Sequence, residues 1–328
     1  MSDRPGDGRF SRARGDEQEN TIIGFVGLGN MGIPMTRRLV GAGYRVRGFD
    51  VLPEARGNFE AIAPSFAGGS VTAITELGSV GDGADAVILM LPDSNIVERV
   101  LLGRLASEPP KATTARGLLV NLAPGTTIID MSSSDPARTR VLAELVDSAG
   151  MTLIDAPVSG GVSGARAGTL TVMVGGPADA FERFRPVLAA IGGRVVHAGA
   201  VGAGHAVKAL NNLMSAANLL ASSEALIAGR RFGLDAAVML EIINGSSGRS
   251  GATEHKWPNY ILTEKYDAGF SIRLMVKDIQ VALDIEHATG VPSAASEAVV
   301  ATWEAALADL PPDADHTAIA RWVNDQKQ

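Results

Sequence analysis

The sequence contains no cysteine, which excludes disulfide bonds, thiolate metal sites, iron–sulfur clusters and cysteine nucleophiles. Histidine is scarce as well: there are five, none spaced as His-x-x-x-His, so we predict no metal centre. The 29 basic residues are outnumbered by 36 acidic ones, and the resulting net charge of -7 disfavours nucleic acid as a partner. Composition therefore removes several classes of functional site before any motif is considered.

Long apolar segments are missing too. The longest apolar run, residues 86–91, is far shorter than the roughly 20 residues of a membrane-spanning helix, so we predict no membrane partner. Residues 1–20 mix both charges with glycine and proline and lack the apolar core of a secretory signal. We therefore expect a disordered tail over residues 1–20 and a cytoplasmic location.

What the chain does contain is a regular alternation of short apolar runs with helical patterns. The runs are residues 22–27, 44–50, 85–91, 127–132, 151–159, 170–176 and 194–199, and we predict them as strands. Several have the continuous apolar character of strands buried on both faces of a parallel sheet. After about residue 199 the strand patterns stop, and residues 204–228 have the pattern of one long helix.

This alternation predicts an α/β Rossmann-type N-terminal domain over residues 21–200. It also predicts an all-α C-terminal domain over residues 201–328 that begins with a long inter-domain helix. Residues 103–117 have the composition of a polar surface loop. With 328 residues, two domains also agree with the usual domain size of about 150 residues.

A glycine pattern typical of dinucleotide-binding turns directly follows the first predicted strand. G-x-G-x-x-G is formed by Gly27, Leu28, Gly29, Asn30, Met31 and Gly32. The first glycine permits the turn, the second lets the backbone approach a pyrophosphate, and the third lets the helix pack on the strand. Asp50 follows the second strand, where a carboxylate accepts hydrogen bonds from the ribose hydroxyls and repels a 2′-phosphate. We predict NAD as the cofactor, while Arg45 and Arg47 leave NADP open.

A second glycine cluster follows a later strand. Ser159, Gly160 and Gly161 offer a hydroxyl group and exposed backbone N–H groups, an arrangement suited to binding a carboxylate. On this pattern alone, a flexible turn without a ligand is an equal alternative.

A solitary lysine stands out in the long helix. Lys208 is the only formally charged residue between Gly204 and Ser223, and Asn212 lies one turn further on the same helix face. Burial would lower the pKa of such a lysine towards the range useful in acid/base catalysis. The alternative is that its ammonium group extends to solvent.

Taken together, four segments resemble the β-hydroxyacid dehydrogenase family. They are residues 22–35, 155–176, 202–212 and 274–292, in the order in which the family carries its motifs. The resemblance extends from about residue 21 to about residue 310. It implies a Rossmann-type domain, a helical domain, a nicotinamide cofactor and a small hydroxyacid substrate.

The resemblance also implies roles for individual residues. Lys208 matches the catalytic lysine and Asn212 the substrate-binding asparagine, while Ser159, Gly160 and Gly161 match the carboxylate-binding loop. Cofactor contacts are implied for Leu91, Pro92, Ser133 and Lys277. The loop over residues 103–117 is longer than is usual in the family.

Substrate identity stays open at this point. Hydroxyisobutyrate, glycerate, hydroxybutyrate, a β-hydroxy amino acid or a sulfonate analogue would each suit the motifs, as would reduction of a small semialdehyde. A 6-phosphogluconate dehydrogenase is a further alternative, which is disfavoured because such chains are usually much longer and no clear sugar-phosphate site is visible here. An imine reductase and a non-catalytic binding module are also alternatives, and Lys208 disfavours both. Arg249 lies in a Gly/Ser-rich segment and is predicted to bind a second polar or anionic group of the substrate. The long apolar helix favours a homodimer or homotetramer.

Overall fold

A computed structural model of the chain describes residues 21–62, 69–108 and 117–326. The tail predicted over residues 1–20 lies outside these ranges, as do residues 109–116 of the predicted surface loop. The chain divides into two compact units, with the boundary between His205 and Ala206.

The first unit contains a nine-stranded sheet. Its strands are β1 (Ile22–Val26), β2 (Arg45–Phe49), β3 (Ser70–Ile74), β4 (Ala86–Leu89), β5 (Thr127–Asp130), β6 (Thr152–Asp155), β7 (Val158–Ser159), β8 (Thr171–Gly175) and β9 (Arg194–Gly199). The order is β3-β2-β1-β4-β5-β6-β8-β7, with β9 paired to β8. Strands β3 to β6 of this order are parallel, β8 is antiparallel to β6 and β7, and β9 is parallel to β8.

Helices connect these strands. They are α1 (Gly32–Gly41), α2 (Pro53–Glu60), α3 (Ser94–Leu102), α4 (Pro136–Ser148), α5 (Gly161–Ala167) and α6 (Ala178–Ile191). All four residues of β4 are buried, as the continuous apolar run predicts. Large buried side chains such as Phe25, Leu39 and Ile88 contribute to the core of this unit. The predicted Rossmann-type domain is therefore confirmed as a fold class.

The direction of strand addition reverses between β1 and β4. Val26 at the end of β1 pairs with Leu89 at the end of β4, and Leu89 pairs with Asp130 at the end of β5. The carboxyl ends of these three strands are thus level, at the point where ligands bind in open parallel sheets.

Two features of the sheet differ from the sequence prediction. Strand β3 was not predicted, because its short segment alternates between exposed and half-buried residues at the sheet edge and lacks a continuous apolar run. Residues 151–159 were predicted as one strand but form the separate strands β6 and β7. Pro157 lies between them and has no N–H group to continue the ladder.

The second unit is helical, as predicted. Its elements are α7 (Ala203–Phe232, which begins just before the boundary), α8 (Ala236–Asn244), a π-helix (Ala252–Ile261), α9 (Ile272–Thr289), α10 (Ala294–Asp309) and α11 (Ile319–Asp325). The buried side chains of Leu219, Trp257, Ile279 and Trp303 belong to its core. Within the described residues, no helix combines the length and the apolar character needed to cross a membrane.

Candidate active site

The glycine turn after β1 has a backbone that only glycine fits at two of its three positions. Gly27 has a φ of 100°, and a Cβ atom there would lie 2.2 Å from the Met90 carbonyl oxygen. A Cβ atom at Gly32 would lie 1.9 Å from the Gly27 carbonyl oxygen. The first and third glycines therefore shape the turn, because a side chain at either position would collide with rigid backbone.

The middle glycine is different. Gly29 is exposed, and a Cβ atom there would meet no other atom within 4 Å. Helix α1 starts nearby without a side-chain cap or an acidic residue in its first turn, so its first N–H groups are open to an anionic ligand. An open glycine beside an uncapped helix N-terminus fits the pyrophosphate of a dinucleotide.

Asp50, directly after β2, is held against this turn. Its Oδ2 atom accepts a hydrogen bond of 2.8 Å from the Leu28 N–H, and its Oδ1 atom accepts one of 2.9 Å from the Leu52 N–H. An ionised carboxylate has about four acceptor positions, so two remain for ribose hydroxyls. The residues present therefore fit a dinucleotide at both its pyrophosphate and its ribose.

Three arginines bear on the choice between NAD and NADP. Arg47 donates a hydrogen bond of 2.8 Å to the Ser79 carbonyl and lies 3.6 Å from the Asp82 carboxylate, so its charge is already engaged. Arg45 is exposed. Sequence reasoning missed Arg56, whose Nη1 donates a hydrogen bond of 2.6 Å to the carbonyl of Asp50. Its position six residues after Asp50, at the start of α2, was the available signal.

The predicted cofactor contacts at the ends of β4 and β5 are neighbours in the sheet. The Leu91 N–H donates a hydrogen bond of 3.0 Å to Ser132 Oγ, which connects the two strand ends. Ser132 is buried and was not predicted, whereas the predicted Ser133 is half-buried and Pro92 is exposed. These residues share the switch point with the glycine turn, since the strand ends are level.

The second glycine loop joins β7 to α5. Gly160 has a φ of 131° and Gly161 a φ of 63°, both in the region that favours glycine. Ser159 is half-buried and the two glycines are exposed. Successive backbone N–H groups in such a turn form a concave site that suits a carboxylate group.

A buried carboxylate that sequence reasoning missed organises the end of the first unit. Asp155 accepts hydrogen bonds from the N–H groups of Gly202 (2.6 Å) and His205 (2.8 Å), and it is fully buried. The His205 ring also contacts Thr139 Oγ1 at 2.8 Å. Asp155 thereby holds the first turn of α7. Its position at the end of strand β6 was the available signal in the sequence.

In the second unit, polar groups converge around the lysine helix. Asn212 is buried and its Nδ2 donates a hydrogen bond of 2.6 Å to Asp278 Oδ2. Lys277 Nζ lies 3.0 Å from the other carboxylate oxygen of Asp278. Lys208 is half-buried one turn before Asn212 on α7. Two helices, α7 and α9, therefore supply this constellation.

The surroundings of Lys208 change its acidity. Burial lowers the pKa of Lys208 below its ordinary value of 10.5, and the Lys277 ammonium lowers it further, while the Asp278 carboxylate opposes both effects. A lowered pKa makes the neutral amine of Lys208 more accessible, which suits a group that accepts and donates a proton.

Arg249, which is predicted to bind a second polar or anionic group of the substrate, lies in the second unit. Its side chain is 64% exposed, and its Nε atom lies 3.9 Å from Glu254 Oε1. This placement gives no support to a contact with substrate.

Comparisons with known proteins agree with these observations. Residues 22–199 match the family described as the NAD binding domain of 6-phosphogluconate dehydrogenase. Residues 202–323 match the family described as "NAD-binding of NADP-dependent 3-hydroxyisobutyrate dehydrogenase".

Individual relatives are similar over most of their length. The 3-hydroxyisobutyrate dehydrogenase of Pseudomonas aeruginosa is 40% identical over 277 residues, 80% of this chain and 84% of that protein. The 2-(hydroxymethyl)glutarate dehydrogenase of Eubacterium barkeri is 38% identical over 275 residues, 84% of this chain and 85% of that protein. The solved structure of Mycobacterium tuberculosis 3-hydroxyisobutyrate dehydrogenase with L-serine has a TM-score of 0.80 at 35% identity, over 92% of this chain and 99% of that one.

The fold, the glycine turn and both family matches define an NAD(P)-dependent oxidoreductase. The relatives narrow this class, because they are hydroxyacid dehydrogenases that match this chain over 84% and 85% of their own length. The chain belongs to the β-hydroxyacid dehydrogenase family, as its motifs indicate, and it acts on a small-molecule substrate.

Proposed function

We propose that this enzyme oxidises the hydroxyl group of a small β-hydroxyacid of the 3-hydroxyisobutyrate type, with NAD as the preferred cofactor and Lys208 as the proton-transfer group. The observation that carries the proposal is the position of Lys208 one turn before the buried Asn212, whose Nδ2 donates a hydrogen bond of 2.6 Å to Asp278 Oδ2. The lowered pKa of Lys208 agrees with this role. A structural lysine would instead gain a close carboxylate partner or solvent, either of which preserves its charge.

Each residue has a distinct task in the proposed mechanism. Bound NAD supplies the acceptor for the hydride that leaves the carbinol carbon. Neutral Lys208 accepts the hydroxyl proton during oxidation, and its ammonium form donates that proton during reduction. Asn212, fixed by Asp278, orients the lysine or the reacting oxygen. Ser159 and the N–H groups of Gly160 and Gly161 bind the substrate carboxylate.

A panel of hydroxyacids tests the substrate class. It contains 3-hydroxyisobutyrate, L-serine and 2-(hydroxymethyl)glutarate, which the names of the relatives suggest, together with glycerate, 3-hydroxybutyrate and a sulfonate analogue. NADH formation is followed by absorbance at saturating NAD. Turnover of at least one β-hydroxycarboxylate supports the proposal, and reduction of imines without oxidation of any hydroxyacid would contradict it.

The enzyme is expected to have a kcat/KM for NAD about tenfold or more above that for NADP, because a 2′-phosphate would approach the Asp50 carboxylate. A tenfold ratio corresponds to about 1.4 kcal/mol of differential binding in the transition state. Steady-state kinetics with both cofactors measure it directly. Substituting Arg56 with glutamine provides a control: if kcat/KM is higher for NADP and falls selectively in Arg56→Gln, that arginine outweighs the carboxylate.

We also propose a homodimer or homotetramer. An apolar row on the surface of the second unit supports it: Leu234, Val238 and Ile242 are spaced by four residues and are 51%, 53% and 63% exposed. The double variant Val238→Glu/Ile242→Glu is expected to have a lower mass in light scattering than the wild type. Val141→Glu is the control, since Val141 is 50% exposed in the first unit. A monomeric wild type, or an unchanged mass in the double variant, would contradict this.

The cytoplasmic location stays a prediction that cell fractionation tests.

A further inference from the structure

A second lysine lies beside the helix face that carries Lys208. Lys256 is half-buried in the π-helix, and its Nζ donates a hydrogen bond of 2.8 Å to Ser215 Oγ on α7. Ser215 follows Lys208 by seven residues and Asn212 by three, so the three side chains share one face of that helix. Along this face, Lys208 is followed by Asn212 and then by Ser215, and the ammonium group of Lys256 lies at Ser215.

The charge of Lys256 is poorly compensated. Its hydrogen-bond partner is a neutral hydroxyl, and among the described residues no carboxylate oxygen lies within 4.0 Å of its Nζ atom. Asp315 exerts an attraction from further away, but its Oδ2 accepts hydrogen bonds from the N–H groups of Gly269 and Phe270. A partly buried cation without a close anion is costly, and a bound anion would relieve that cost.

The acidity of Lys256 reflects the same surroundings. Burial lowers its pKa to about 8, with the Lys208 ammonium adding to this effect and Asp315 opposing it. With that pKa, Lys256 is mostly protonated at pH 7.

We propose that Lys256, together with the Ser215 hydroxyl, binds a second anionic group of the substrate, and that the enzyme prefers dianionic β-hydroxyacids. This inference rests on the proposed function, because it concerns the same substrate whose hydroxyl group Lys208 deprotonates. It adds that the other end of that substrate carries a second anionic group. The Lys208 and Ser215 Cα atoms are separated by about 10 Å along the helix axis. That separation leaves room for a short alkyl spacer between the reacting carbon and the second anion. Lys256 therefore takes the role that the sequence assigned to the exposed Arg249.

Two substrates with the same reacting end separate charge recognition from catalysis. 3-Hydroxyisobutyrate has a methyl group where 2-(hydroxymethyl)glutarate has a carboxyethyl group. The wild type is expected to have a kcat/KM at least tenfold higher for the dianion, mainly through a lower KM. The 5-amide of 2-(hydroxymethyl)glutarate, which keeps the length but not the charge, should behave like 3-hydroxyisobutyrate.

Substitutions locate the cation. Lys256→Met is expected to lose at least tenfold in kcat/KM for the dianion and to stay within twofold of wild type for 3-hydroxyisobutyrate. Lys256→Arg, which keeps the charge, should recover part of the loss, and the exposed Lys265→Met is the matched control. Equal losses on both substrates in Lys256→Met would overturn the proposal. So would loss of dianion preference in Arg249→Met alone.

Binding of unreactive analogues separates this inference from the proposed function. In the presence of NADH, calorimetry should detect tighter binding of 2-methylglutarate than of isobutyrate to the wild type, and Lys256→Met should abolish that difference. If the wild type turns over no hydroxyacid, the proposed function fails, and this titration still decides whether Lys256 binds a second carboxylate. Equal affinities for the two analogues in the wild type would refute the inference, whatever the activity.

Discussion

Substituting Lys208 with alanine is expected to lower kcat by about 10²–10⁴-fold, the usual contribution of a positioned general acid or base. The methyl side chain can neither accept the hydroxyl proton nor return it, and no other described group is assigned that task. NADH affinity should stay within twofold. The residues that fit the pyrophosphate and the ribose of the dinucleotide belong to the first unit, whereas Lys208 belongs to the second. Rapid-quench kinetics and a fluorescence titration with NADH measure the two quantities.

The control for this variant is Lys265→Ala, which removes an exposed lysine from the same unit. It should retain wild-type kinetics. The assigned role would be wrong if Lys208→Ala kept more than a tenth of the wild-type kcat. The role assigned to Lys208 would also be wrong if unfolding alone explained the loss of kcat. This would be the case if the thermal transition of Lys208→Ala lay below the assay temperature. A small primary amine added to Lys208→Ala should restore part of the activity.

The pH dependence of the wild type tests the same role without substitution. Oxidation needs neutral Lys208, so its kcat/KM should rise with pH and level off above the pKa of Lys208, which burial holds below 10.5. Reduction needs the ammonium form, so its kcat/KM should fall as pH rises through the same pKa. Profiles that move in the same direction would be incompatible with one lysine acting as both acid and base.

Substituting Gly29 with alanine is expected to weaken NADH binding about a hundredfold without changing the stability of the first unit. A Cβ atom at this position meets no protein atom within 4 Å, so the substitution is accommodated by the fold. The added methyl group would instead keep a pyrophosphate away from the backbone N–H groups of the turn. Loss of one or two charge-assisted hydrogen bonds, at about 1.5–3 kcal/mol each, corresponds to that change.

Two other glycines make this prediction specific. Gly57→Ala also places a methyl group in open space, in helix α2, and should leave both binding and stability unchanged or slightly improved. Gly32→Ala should lower stability as well as binding, because its Cβ atom would meet the Gly27 carbonyl. Unaltered NADH affinity in Gly29→Ala would show that the turn does not bind the pyrophosphate.

The sequence predicts the parallel sheet well because the burial of a strand on both faces leaves a continuous apolar run. Strand β4 is such a case. Strand β3 could not be predicted in this way. It lies at the sheet edge, where its residues alternate between exposed and half-buried, so it leaves no continuous apolar run in the sequence. The π-helix was also missed, since its Pro258 and polar residues resemble a loop composition.

Site residues divide in a similar way. The first and third glycines of the turn are predictable because a side chain there would meet rigid backbone, and Lys208 is predictable because it is solitary. Lys256 was not predictable, because its hydrogen bond joins it to Ser215, 41 residues away in the chain. The role of Arg249 stays a prediction: its residue type suggests anion binding, and the fold leaves its side chain 64% exposed.

Transfer of a labelled hydride tests the central claim most directly. 3-Hydroxyisobutyrate, or the best substrate of the panel, is prepared with deuterium on the carbinol carbon and incubated with the enzyme and NAD. The account predicts reduced cofactor carrying one deuterium at the nicotinamide ring, seen by mass spectrometry and proton NMR, with formation slowed by Lys208→Ala. Reduced cofactor without deuterium, or none from any hydroxyacid of the panel, would contradict it.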